Sequence, residues 1–127
     1  MEVTMKLNFI TLMVRDIEKS VEFYQELVGM QLINQINLEI GKIRFMANEK
    51  GETMLELVEI NEGEKTEIKG MVMSYLATPS LEAVRERAIS LGYTPSKIIN
   101  HAPKPKHFTV NDPDGIKVEF TLQPENF

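Results

Sequence analysis

Two glutamates, each flanked by large apolar residues, stand out in Leu55-Glu56-Leu57 and Val118-Glu119-Phe120. The interval between them is the same as that from Gly29 to Gly92, and each of these glycines closes a segment of helical periodicity. A chain that repeats its own pattern in this way folds as two copies of one module. In the first copy, Asp16 is a good N-cap and Ile17, Val21, Tyr24 and Val28 recur along one helical face before Gly29. In the second, Thr78 reads as the N-cap and Pro79 as the first helical residue, with Leu81, Val84, Ala88 and Leu91 apolar before Gly92.

Strand-like runs flank both helices in the same order: 7–14 ahead of the first helix, then 32–37, 40–47 and 53–60 after it. The second copy offers 71–76, then 94–100, 106–111 and 116–122, with Asp112-Pro113-Asp114-Gly115 as the tight reversal into the last run. Each copy is therefore βαβββ, the first over about residues 5–60, the second over about 71–123, joined by the polar stretch 61–70. One helix and one sheet cannot cover both faces of that sheet. The expected architecture is a single α+β domain of 127 residues. Its two βαβββ modules pair into a curved mixed sheet, with helices on the outer face and a cleft on the inner face.

Composition narrows the function. A net charge of −5 disfavours a nucleic-acid partner, which needs a concentrated basic surface. No run approaches the ~18 consecutive apolar residues of a membrane span, so no membrane association is expected. Residues 1–6 lack the layout of a signal peptide. There is no cysteine, which removes disulfides and thiolate chemistry and suits a reducing cytoplasm, the expected location.

The opening run Leu7-Asn-Phe-Ile-Thr-Leu-Met-Val-Arg-Asp16, with Ser20, Phe23-Tyr24 and Leu27-Val-Gly29-Met30, resembles the vicinal-oxygen-chelate superfamily of glyoxalases, bleomycin-resistance proteins and extradiol dioxygenases. Asp112-Pro-Asp-Gly-Ile-Lys-Val-Glu119-Phe resembles its closing signature. The resemblance implies four metal-ligand positions, which here carry Phe9, Glu56, Met71 and Glu119. Both positions that are commonly histidine are apolar. Phenylalanine has no lone pair to offer, and a thioether is a soft ligand suited to Cu(I). No cofactor is therefore expected, and metal-dependent glyoxalase or ring-cleaving activity is disfavoured. A divalent ion on Glu56, Glu119 and His107 is the alternative.

Alternation along each strand assigns the expected cleft lining. Strand one would give Phe9, Thr11 and Met13, strand four Met54, Glu56 and Val58, and strand five Met71, Met73 and Tyr75. The last strand would give Lys117, Glu119 and Thr121, while His107 and Thr109 match substrate-contacting positions in related fosfomycin-resistance proteins. Methionine adapts to irregular partners, so this lining suits a small apolar or aromatic ligand, although the same residues would also fill a collapsed core. Two neighbouring carboxylates would separate in proton affinity, making Glu56 and Glu119 an acid/base pair for a metal-free isomerase or lyase. A buried ion pair of either glutamate with His107 or Lys117 is the non-chemical alternative. A regulatory dimer with a closed cleft is a further one. His101 falls in a loop, and the pattern leaves Arg44 open to either face. The resemblance also implies a homodimer, in which the modules of two chains can exchange.

Overall fold

A computed structural model describes residues 6–61, 71–100 and 105–122. The chain forms two compact units, Met1–Thr66 and Glu67–Phe127. The first follows the expected order: β1 (Phe9–Met13), α1 (Ile17–Glu22) running on into a π-helical turn (Phe23–Val28), then β2 (Gln31–Leu38), β3 (Gly41–Ala47) and β4 (Met54–Ile60). Its sheet has the order β1-β4-β3-β2, so the first and last strands of the unit are neighbours, and they run parallel.

Asp16 caps α1 as expected, its Oδ1 accepting from the Lys19 amide at 3.3 Å. A second carboxylate reaches the same helix end from β4, where Glu59 Oε1 accepts from the Ile17 amide at 2.9 Å. Both satisfy donors that a helix start leaves unpaired. The buried face is Ile17, Ser20, Phe23, Tyr24 and Leu27, not the expected Ile17, Val21, Tyr24 and Val28. Val21 and Val28 are only half-buried. The wider π-helical winding turns Phe23 and Tyr24 inward together, their rings edge to face with centroids 5.0 Å apart. This face packs on Leu12, Met46, Leu55 and Leu57, which are buried on one side of the sheet.

The second unit consists of β5 (Val72–Leu76), α2 (Leu81–Ser90), β6 (His107–Asn111) and β7 (Lys117–Thr121), with a three-stranded sheet ordered β5-β7-β6. The N-cap of α2 is Ser80, not Thr78, because the Ser80 hydroxyl accepts from the Ala83 amide at 3.1 Å. Pro79 consequently precedes the helix instead of opening it. Gly92 ends the helix with φ of 93°, as Gly29 ends the first with φ of 85°, conformations that suit glycine.

The expected strand at 94–100 is a correction. It runs beside β6 but forms only one bridge, between Ile99 and His107. Pro95 has no amide hydrogen to donate. At Ser96 the side chain joins the pairing: its amide donates to the Thr109 carbonyl at 2.9 Å, and its hydroxyl accepts from the Thr109 amide at 2.9 Å. Moving from the Ser96–Thr109 contact to the Ile99–His107 bridge slips the pairing by one residue, which breaks a regular ladder.

The turn from β6 into β7 is built by Asp112. Its Oδ1 accepts from the Asp114 amide at 2.8 Å and the Ile116 amide at 2.9 Å, and Gly115 takes a φ of 87°. Asp112 and Asp114 are both buried.

The two units differ in helix phase. The interval from Ile17 to Leu81, the first residues of the two helices, exceeds that from Gly29 to Gly92 by a single position. The approach to α2 carries one residue more than the approach to α1, and the first helix recovers it within its π-helical turn.

Candidate functional site

In the first unit, the strand register places Phe9, Thr11, Met13, Met54, Glu56 and Val58 on the face that α1 does not cover. Ile43 and Phe45 of β3 are in phase with them, Phe45 directly opposite Glu56. This is the grouping expected for the first module. Thr11 Oγ1 donates to Glu56 Oε1 at 2.6 Å, a short bond of the kind carboxylates accept. The rings of Phe9 and Phe45 meet edge to face with centroids 5.8 Å apart. Phe9 is 38% exposed and Met13 44%, so large apolar side chains lie open around the carboxylate.

In the second unit, β5 and β7 pair with Val72 opposite Lys117 and Ser74 opposite Glu119. Thr109 of β6 also lies opposite Glu119, and His107 and Lys117 are in phase with it. Glu119, Lys117, His107 and Thr109 thus share one face. Ser74 Oγ donates to Glu119 Oε2 at 2.8 Å.

Met71, Met73 and Tyr75 do not share that face. Met73 and Tyr75 lie in phase with Val118, Phe120, Phe108 and Val110, the apolar side packed against α2. Met71, just before β5, follows their phase. The counterpart of Phe9 is therefore Val72, and that of Thr11 is Ser74. The spacing of the two glutamates points to this pairing, since the same interval counted from Phe9 and Thr11 arrives at Val72 and Ser74. Counting back from the second helix misleads, because the extra residue before α2 displaces the count.

The same hydroxyl–carboxylate pair thus occurs in both units, Thr11 with Glu56 and Ser74 with Glu119. Neither hydroxyl is among the carboxylate partners expected from the sequence. Burial separates the two glutamates: Glu119 is 7% exposed, while Glu56 is only half-buried. His107, also buried, has Nδ1 3.0 Å from the Pro105 carbonyl oxygen. A carbonyl only accepts, so Nδ1 carries the hydrogen. Tyr75 sits over Phe120 with ring centroids 6.2 Å apart, and burial pushes its phenol well above the ordinary range, with the Asp112 charge adding to the effect.

Arg44 lies on the helix side of the first sheet. Its guanidinium donates to Asn37 Oδ1 and the Ile43 carbonyl, each at 3.0 Å, and lies 3.5 Å from Glu18. It is thus on the face opposite Glu56. His101 lies outside the described residues. An open groove of about 830 Å³ beyond the start of β1 and β4 is lined by Lys6, Asn8, Asn48 and Glu52 and includes none of the predicted site residues. Among the described residues, no group of three or more His, Asp or Glu is placed to hold a metal ion. None of the described helices is long and apolar enough to cross a membrane.

The family model of the Glyoxalase/Bleomycin resistance protein/Dioxygenase superfamily matches residues 6–120. Lactoylglutathione lyases from serogroup A and serogroup B strains of Neisseria meningitidis are each 30% identical to the chain, over 91% of it and 89% of their own length. The fold is shared with the trypanothione-dependent glyoxalase I of Leishmania major, at a TM-score of 0.78 and 16% identity, over 94% of this chain and 87% of that one. It is shared also with an antibiotic-binding protein from Streptomyces sp. CB03234, at a TM-score of 0.74 and 22% identity, over 96% of this chain and 98% of that one. The chain belongs to the Glyoxalase/Bleomycin resistance protein/Dioxygenase superfamily.

Proposed function

We propose that the chain binds a small apolar or aromatic molecule on the Glu56 face of its first sheet, without a divalent metal. One observation carries this reading: Phe9, Met13, Phe45 and Met54 surround a single carboxylate on a face that the helix leaves uncovered. Ligand sites combine an apolar lining with a few placed polar groups in this way. The donor set does not fit the family's metal. On its uncovered face each unit offers one carboxylate that already accepts from a hydroxyl, and His107 has its Nδ1 on the Pro105 carbonyl. The two positions expected to match the family's histidines carry Phe9 and Met71, the strand register putting Val72 in the second place. The antibiotic-binding relative from Streptomyces sp. CB03234 is in keeping with a sequestering role.

Thermal melting of the purified protein against a panel of aromatic and amphipathic compounds tests this. A rise in Tm with some of them, unchanged by chelator or by added Mn²⁺, Ni²⁺ or Zn²⁺, is expected. A Tm that responds to a divalent ion and to no organic compound would overturn it.

The 30% identity to lactoylglutathione lyases favours a second reading, a metal-free isomerase or lyase with Glu56 and Glu119 moving the proton. A bell-shaped pH–rate profile that Glu119→Gln removes would support it; turnover that survives both glutamine substitutions would end it. In either reading the protein acts in the cytoplasm as a homodimer. Light scattering of the eluting protein tests the dimer.

A further inference from the structure

We infer that the molecule bound on the Glu56 face is an organic cation, an aromatic or apolar group carrying an ammonium. This deepens the binding reading proposed above and rests on it.

Among the described residues of the four strands in phase with it, Glu56 is the sole ionisable side chain. Its neighbours there are aromatic, aliphatic, thioether, hydroxyl or amide. The cations of the same sheet are on the other side. Arg44 is held there by Asn37 and Glu18, and Lys42 pairs in register with Glu59. The negative charge of Glu56 therefore has no described cation of its own sheet to meet.

Thr11 does not change that balance. Its hydroxyl has one hydrogen, already given to Glu56 Oε1. Oε2 is left as an acceptor, so the polar centre of the face asks for a donor. A neutral hydrocarbon laid over it would strip water from an ionised carboxylate and return nothing. A carboxylate ligand would be repelled. A cation restores the lost hydration through a charge-assisted hydrogen bond, and the faces of Phe9 and Phe45 attract positive charge as well. The overall charge of −5 concentrates cations around the protein.

The second unit shows the contrast. Glu119 has Lys117 and His107 on its own face of the sheet, two basic side chains with no described counterpart around Glu56. The same strand position has basic side chains on its face in one unit and none among the described strand residues in the other.

The test uses three probes on one skeleton, 1-naphthylmethylammonium, 1-naphthalenemethanol and 1-naphthoate, titrated calorimetrically into the intact protein and its Glu56→Gln variant. The ammonium should bind roughly tenfold more tightly than the alcohol, with naphthoate weakest, and Glu56→Gln should level the first two. Phe9→Ala should weaken ammonium and alcohol alike while keeping their order. Equal binding of all three probes, or tightest binding of the alcohol or naphthoate, overturns the charge inference and leaves the apolar-site reading standing. A tenfold preference that persists in Glu56→Gln also overturns it. If none of the three binds, the binding reading falls and takes this inference with it.

Discussion

Ser74 gives its hydroxyl hydrogen to Glu119 across a parallel strand pair, and the same geometry holds between Thr11 and Glu56 at the equivalent place in the first unit. The two pairs differ in burial, so they should differ in cost when broken. Removing a donor from a buried carboxylate costs about 1–3 kcal/mol, and much less where water can replace it. Ser74→Ala should therefore lower unfolding stability by more than Thr11→Val, as read from urea denaturation midpoints. Equal losses would mean that burial does not govern the pair.

Asp112 offers a sharper case. One carboxylate oxygen satisfies two buried amides, those of Asp114 and Ile116. Asp112→Ala orphans both and should cost about 2–4 kcal/mol, whereas Asp112→Asn, whose amide oxygen can accept in the same place, should recover more than half of that. Thermal melts of the two variants compare them directly.

Gly41 is constrained by space. A Cβ there would collide with the Glu59 carbonyl oxygen across the β3–β4 pair, and backbone cannot move aside as a side-chain tip can. Gly41→Ala should destabilise the protein by about 2 kcal/mol or more. Because Glu59 also caps α1, the far-ultraviolet circular dichroism of this variant should show lost helix as well as lost sheet.

Alkaline pH should act through Tyr75. Burial, and secondly the Asp112 charge, hold its phenol protonated above the ordinary range. The folded state thus keeps a proton that the unfolded chain releases at about pH 10, so stability is full below that value and falls as pH rises beyond it. Tyr75→Phe should make the decline between about pH 9 and 11 shallower, measured as the change in denaturation free energy. An unchanged slope would show that the phenol is not the titrating group.

Most of the fold was legible because its punctuation is chemical. Asp16, Gly29, Gly92 and the Asp112 turn have few alternative uses, and both glutamates stand out against apolar neighbours. The register of β5 was obscured for the opposite reason. Met71, Val72, Met73, Tyr75 and Leu76 are apolar or aromatic on both faces, leaving Ser74 as the one polar marker. That marker pairs with Glu119. The irregular run at 94–100 depends on a side-chain hydroxyl substituting in a ladder, which periodicity does not register. The burial difference between Glu56 and Glu119 depends on packing around strands of matching pattern, so sequence symmetry concealed it.

The adjacency of β1 and β4 also sets an order of events during synthesis. These strands are parallel neighbours, with Thr11 in the first paired to Glu56 in the last, and the start of α1 receives Glu59 from the far end of the unit. A nascent chain released only as far as β3 has β1 without its hydrogen-bonding neighbour and α1 without its second cap. The ribosome must deliver roughly sixty residues before the first unit can close, so its slowest contacts are those made last.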